Sequence, residues 1–196
     1  DHRHLHSFPT RRSSDLCPPV HRGSRPWRTL LLAGGLALAA AAENLVPNHG
    51  FEDLDAVTAA PAGWTPWSTP NFAVYTLAAA RGGVAAAVIT DDCPRTSQGL
   101  RSPRVPVEPG STYRASVWVK IEHARQGGFG LYLEYWIGGT RIHNRSVFAD
   151  DAADWQHLTV DDPVPADATH ATVLVYSSSA AVGRAYFDDA SLVRTR

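Results

Sequence analysis

The residues best placed to do chemistry lie in one stretch of the chain: Tyr132, Glu134, Tyr135 and Trp136, with Arg141 and His143 close behind. His143, Tyr135 and Arg141 together hold the types that abstract a proton beside a carboxylate, namely a base, an acid and a neutralising cation. Strand parity opposes that use, because successive side chains of an extended segment point to opposite faces. With Leu131, Leu133, Tyr135 and Ile137 directed into a core, Tyr135 points away from His143. Glu134 has no second carboxylate on its own face, and glycoside hydrolysis works through a pair at defined separation. No His or Cys cluster has zinc spacing, and neither a Gly-rich phosphate loop nor a nucleophile motif occurs. The chain is therefore expected to carry no catalytic residues and not to be an enzyme.

The same parity favours binding. Tyr132, Glu134 and Trp136 share the outward face of their strand, and over 171–176 Val173 and Val175 go inward, leaving Thr172, Leu174 and Tyr176 outside. A pyranose ring has an apolar face that stacks on an aromatic ring and a rim of hydroxyls that need donors and acceptors. An outward strand face that mixes aromatic and polar groups meets both needs.

The elements that must carry these residues are strands. No stretch from Glu43 onward keeps a helical period; short runs of Val, Tyr, Trp, Phe and Thr alternate with turns. Strands are predicted over 44–46, 64–68, 72–77, 84–90, 98–107, 112–122, 130–137, 141–148, 155–160, 171–177 and 184–193. The turns between them are explicit: Glu108-Pro109-Gly110, Gly127-Gly128, Gly138-Gly139 and Asp161-Asp162-Pro163. Over 113–120, Tyr113, Ala115, Val117 and Val119 share one face, and Arg114, Ser116, Trp118 and Lys120 the other. Many strands with no helix to make parallel crossovers predict an all-β fold, a two-sheet antiparallel β-sandwich of jelly-roll type.

Ahead of this domain lie two segments of different character. The sequence contains no Met, and residues 1–16, DHRHLHSFPTRRSSDL, have no apolar periodicity. They resemble a peptide translated from adapter DNA and are expected to be a non-native leader, so the chain is expected to be a fragment of a longer protein. Within 17–42, Arg22, Arg25 and Arg28 precede an apolar run over 30–42 that is short of the ~20 residues a spanning helix needs. With Ala40 and Ala42 as the cleavage pattern this predicts a signal peptide, a domain over 43–196, export to the medium or cell surface, and no membrane span. Cleavage leaves Cys93 as the one thiol, expected either to be buried and inert, the favoured reading, or to pair with a partner outside this sequence. From Glu43 onward twelve Lys and Arg stand against seventeen Asp and Glu, with no basic run, which argues against nucleic acid as a partner.

Five pieces in order, ENLVPNHGFEDLD, PAGWTPW, VEPGSTYRASVWVK, ADWQHLTV and AYFDDASLVR, resemble the set found in CenC-type carbohydrate-binding modules, the related families numbered four, nine and twenty-two. The resemblance runs from Asn44 to Val193 and implies a jelly-roll sandwich that binds a polysaccharide or oligosaccharide. It also implies a structural calcium where the chain ends meet, held by the backbone near Gly50, the Glu52 carboxylate and Asp188, with Asp189 as the alternative; hard oxygens suit that ion. His49 stands where the family commonly has a small residue. For the cleft, the resemblance places Trp67 after Gly63-Trp64, Thr172 and Tyr176 on the late lining strand, and Tyr132, Glu134 and His143 on the middle strands. Leu174 and Ser178 stand where cleft members commonly carry Gln or Asn, so a sugar preference does not carry over. A catalytic domain linked beyond Arg196 is a further expectation. The competing expectation is a spacer or adhesion module of the same fold with no working glycan site, distinguished by whether Trp67, Tyr132 and Tyr176 line one open groove or are buried or scattered.

Overall fold

The computed structural model describes residues 42–57, 60–67, 80–126, 128–151 and 153–196. The described strands are β1 (Thr65–Pro66), β2 (Ala87–Asp91), β3 (Gly99–Arg101), β4 (Val105–Pro106), β5 (Thr112–Gln126), β6 (Phe129–Ile137), β7 (Thr140–Phe148), β8 (Gln156–Pro163), β9 (His170–Ser177) and β10 (Val182–Arg194). Among the described residues they form two antiparallel sheets. One has the order β1-β3-β9-β6-β7, with β4 also paired to β9; the other has the order β2-β10-β5-β8. The fold is the predicted β-sandwich, and no described helix is long and apolar enough to cross a membrane.

Alternation builds the core. Leu131, Leu133 and Tyr135 of β6, Ala171, Val173 and Val175 of β9, and Leu100 of β3 face inward from the first sheet. Ala115, Val117 and Val119 of β5 and Ala185, Phe187 and Leu192 of β10 meet them from the second. Each fully buried Val, Leu or Phe contributes about 1.5–3 kcal/mol over its exposed state. Tyr135 ties the layers together: its hydroxyl donates to the Asp162 carbonyl on β8 at 3.0 Å. Burial, with the Asp162 charge second, pushes that phenol above its ordinary range.

Local chemistry explains most boundaries. The β6–β7 hairpin turns on Gly138-Gly139, and Gly138 has φ +52° at the first central position, where a two-residue hairpin calls for glycine. The run 98–107, read as one strand, breaks into β3 and β4 at Ser102-Pro103, because proline has no N–H to give a ladder. Residues 44–46 do not form a strand. Asn44 instead straddles β10: its side chain donates to the Ala190 carbonyl at 3.0 Å and accepts from Leu192 N–H at 3.0 Å. The strand predicted over 72–77 lies outside the described residues. The thiol of Cys93 is half-buried rather than buried, and hydrogen bonding, first from the Arg95 backbone, lowers its pKa.

Candidate functional site

The outward face of the first sheet gathers the aromatic residues. Trp67 follows β1, and its backbone N–H donates to the Gly99 carbonyl at 2.8 Å, which seats it beside β3. A Cβ at Gly99 would lie 2.7 Å from the Val175 carbonyl oxygen and 3.3 Å from Trp67 Cβ, so a larger residue would lift this seat. Trp67 meets Tyr176 of β9 with ring centroids 6.1 Å apart, Tyr176 meets Tyr132 of β6 at 5.1 Å, and Tyr132 meets Phe148 of β7 at 5.9 Å. All three contacts are edge-to-face, a favoured arrangement for aromatic pairs. The result is one row of rings across β1, β9, β6 and β7, each at least partly open to solvent. The Tyr176 hydroxyl donates to Ser97 Oγ at 2.8 Å. Burial raises the Tyr132 phenol pKa, with the Ser146 hydrogen bond opposing it.

Beneath and beside this row lies a charged network. Glu134 is fully buried although its strand position is outward. Arg101 reaches it with two bonds, Nε to Oε2 at 2.7 Å and a terminal nitrogen to Oε1 at 3.2 Å. Arg141 adds a donor to Oε1 at 2.6 Å, and Thr172 Oγ1 donates to Oε2 at 2.9 Å. Thr172 in turn accepts from the Trp136 indole N–H at 2.9 Å. A buried carboxylate is tolerable only when paired and hydrogen-bonded, and this one is held by two guanidiniums and a hydroxyl. The guanidiniums also lie over aromatic rings. Arg101 is 4.5 Å from the Trp67 centroid and 4.9 Å from that of Trp136, and Arg104 is 5.1 Å from Trp136.

Beside β10 of the second sheet the first and last described segments meet. Glu52 accepts from Val84 N–H at 3.1 and 3.0 Å, and Gly83, at φ +59°, comes so close that a Cβ there would overlap the carboxylate. Asp188 is fully buried and accepts from the N–H groups of Arg81 at 2.7 Å and Gly82 at 3.0 Å. Arg81 also pairs with Asp189 at 2.6 Å, and Gly50 lies against both Glu52 and Asp189.

A family model described as "Carbohydrate binding domain" matches residues 43–181. The chain belongs to that family. Among solved structures, a family 16 carbohydrate-binding module is similar with a TM-score of 0.59 at 19% identity, covering 76% of this chain and 99% of that one. The CBM22-1 xylan-binding domain of Xyn10C from Paenibacillus barcinonensis is similar at 0.54 and 17%, over 80% and 97% of the two chains. TmCBM61, solved with beta-1,4-galactotriose, is similar at 0.51 and 20%, over 78% and 99%. At such identities the likeness shows the shared fold. No curated protein sequence matched.

In this carbohydrate-binding domain the structure sets three of the expected residues, Trp67, Tyr176 and Tyr132, side by side. Three others need correction. Glu134 and Thr172 lie on the expected strands but are fully buried, Glu134 against Arg101 and Arg141 and Thr172 between Glu134 and the Trp136 indole. His143 is on the opposite face. Tyr135 pairs with His143 and Trp136 with Arg141, so Ile142 is an extra residue in β7. That one-residue bulge reverses the parity beyond it. His143 therefore stacks on Tyr135 with centroids 6.1 Å apart and sets Nε2 2.9 Å from Asp162 Oδ2. The expectation that Tyr135 and His143 diverge is reversed for the same reason. Sequence reasoning missed Arg101, whose two-residue offset from Gly99 was a usable signal, and Phe148, which the bulge brings outward.

The donor set near Gly50, Glu52 and Asp188 has the hard oxygens that calcium takes. Among the described residues no three His, Cys, Asp or Glu side chains are grouped to hold a metal ion alone, so backbone carbonyls would have to complete a shell. Glu52 and Asp188 would hold the ion, with the Gly50 carbonyl beside them. Bound there, it would supply positive charge to a buried carboxylate.

Proposed function

We propose that this domain binds a polysaccharide or oligosaccharide along the row Trp67, Tyr176, Tyr132 and Phe148, and that it does so without catalysing a reaction. The row is the observation that carries this reading: four rings in contact, on three strands and the residue after β1, offer successive stacking surfaces to successive sugars. Arg101 and Arg141, with Asn144 and Ser146 opposite Glu134 and Tyr132 on β7, supply hydrogen-bonding groups along it. The reading extends to an exported domain, appended to a catalytic domain outside this sequence. Its test is affinity electrophoresis and calorimetry of the chain against a panel of soluble polysaccharides. Retardation by at least one polymer, abolished by free oligosaccharide, supports it; absence of binding to every polymer replaces it with the spacer reading.

Calcium enters the proposal as a stabilising ion only, outside the binding chemistry. A ligand bound to the native state alone adds ~2.7 kcal/mol at a hundredfold excess over its Kd. Melting should fall on chelation and recover with calcium. An unchanged melting temperature assigns closure of this end to Arg81 and the amide donors of its loop.

A further inference from the structure

We propose that the glycan taken by this face is acidic, with uronic-acid carboxylates bound by Arg101, Arg141 and Arg104. The proposal rests on the carbohydrate-binding reading and names the class of sugar.

Charge balance leads to it. Three guanidiniums converge beside the aromatic row, and among the described outward strand residues of this sheet the one acid is Glu134. Glu134 is fully buried, so its charge offsets one guanidinium from below and leaves an excess of positive charge toward solvent. The side chains of Arg101 and Arg141 keep 19% and 36% of their exposure, and Arg104 is exposed. This excess runs against the balance of the domain, which is acidic from Glu43 onward. It is therefore a local feature and not a general basicity.

Geometry favours a carboxylate. A guanidinium presents five N–H donors in a planar fork that matches carboxylate oxygens. The bonds to Glu134 use two of these donors on Arg101 and one on Arg141. The buried carboxylate sets the orientation of both side chains in advance, so a ligand need not order them. Arg101 and Arg141 lie 4.5 and 5.9 Å from the Trp67 centroid. A hexuronic acid carries its carboxylate on the ring carbon next to the ring oxygen, at the rim of the sugar. With one face of Trp67 covered by these guanidiniums, a sugar seated along the row beside that ring turns its rim toward them, where charge-assisted bonds are the strong ones.

The test uses the whole chain and matched polymer pairs: polygalacturonate, alginate and glucuronoxylan, each beside its carboxyl-reduced neutral form. Neutral xylan and a sulfated galactan complete the panel. The expected result is binding of at least one uronate polymer about tenfold or more tighter than its reduced form, with the gap shrinking as salt rises. Arg104→Gln, which leaves the Glu134 network intact, should narrow that gap several-fold while retaining binding to the reduced polymer. Equal affinity for acidic and reduced forms overturns the proposal and leaves the carbohydrate-binding reading standing. Tighter binding to the sulfated polymer than to any uronate also overturns it. Binding to nothing overturns both readings.

Discussion

The two sheets each turn a face outward, and both faces carry aromatic rings and arginines, yet they are organised differently. On the second sheet the contacts are local and self-contained. Trp118 stacks on His157 with centroids 4.7 Å apart and lies under Arg81 at 3.8 Å. Arg114 pairs with Asp161 across β5 and β8, and Arg184 faces Glu122. Arg81, Arg114 and Arg184 each have an acid beside them that is itself open to solvent. On the first sheet the rings touch one another in sequence, and two arginines share one buried acid. The same residue types thus give a surface whose interactions are already matched and a surface with stacking area and charge to offer. Convergence, not composition, separates them. A concavity of about 510 Å³ near Thr112, Arg114, Asp161, Thr195 and Arg196 resembles the second sheet's face: Arg114 and Asp161 pair within it and no ring lines it.

The largest contrast between the faces should appear in stability. Glu134→Ala leaves two guanidiniums facing each other over a buried gap, and breaking a buried pair in this way costs about 3–5 kcal/mol. Urea unfolding of the variant should show that loss, whereas Asp161→Ala on the other face should leave the midpoint nearly unmoved, since exposed pairs contribute little. Comparable losses at both positions would break the distinction between a buried network and a surface pair.

Binding should separate the faces next. Trp67→Ala and Tyr176→Ala each remove a ring from the row and should weaken affinity for a cognate polysaccharide by ~1–3 kcal/mol, the range for truncating a substantial interface contact. Trp118→Ala, made on the second sheet, should bind like the parent. Calorimetry on the three variants, with folding checked by circular dichroism, decides the matter. Loss of binding in Trp118→Ala with retention in the other two would move the site to the second sheet.

The smallest effect concerns two phenols. Burial is the first cause of the raised pKa of Tyr132, while at Tyr186 the first cause is the hydrogen bond to Glu122. Glu122→Ala should therefore bring Tyr186 down toward its ordinary value near 10 and leave Tyr132 where it is, as read by ultraviolet difference titration. A group whose folded pKa is raised contributes stability that is full below the unfolded value and lost as pH rises through the folded one. The variant should accordingly lose a small increment at neutral pH and less above pH 10. A shift of both phenols together would mean that the two faces are electrostatically coupled.

How much of this was legible beforehand follows from the range of each interaction. The strands over 112–122, 130–137 and 171–177 could be read because alternation is a local property, and it placed Tyr132 and Tyr176 outward and Tyr135 inward correctly. The all-β class followed from the same alternation with its Gly, Pro and Asp turns. The family pieces pointed to Trp67. The chemistry around the aromatic row was less accessible. Nothing local marks Ile142 as a bulged residue, because the bulge exists only in the pairing of β6 with β7, and it decided the face of His143 and Phe148.

Parity also says whether a side chain leaves the core but not whether something covers it. Glu134 reads as an exposed acid on an outward position, yet Arg101 arrives from β3, which pairs with β9 rather than with β6, and Arg141 from across the hairpin. Sequence by itself determined the sandwich, its core and the outward positions of Tyr132 and Tyr176, since hydrophobic alternation and turn chemistry act over a few residues. The tertiary structure alone decided which charges meet, because residues 33 positions apart, such as Arg101 and Glu134, come within 2.7 Å only through strand order and register.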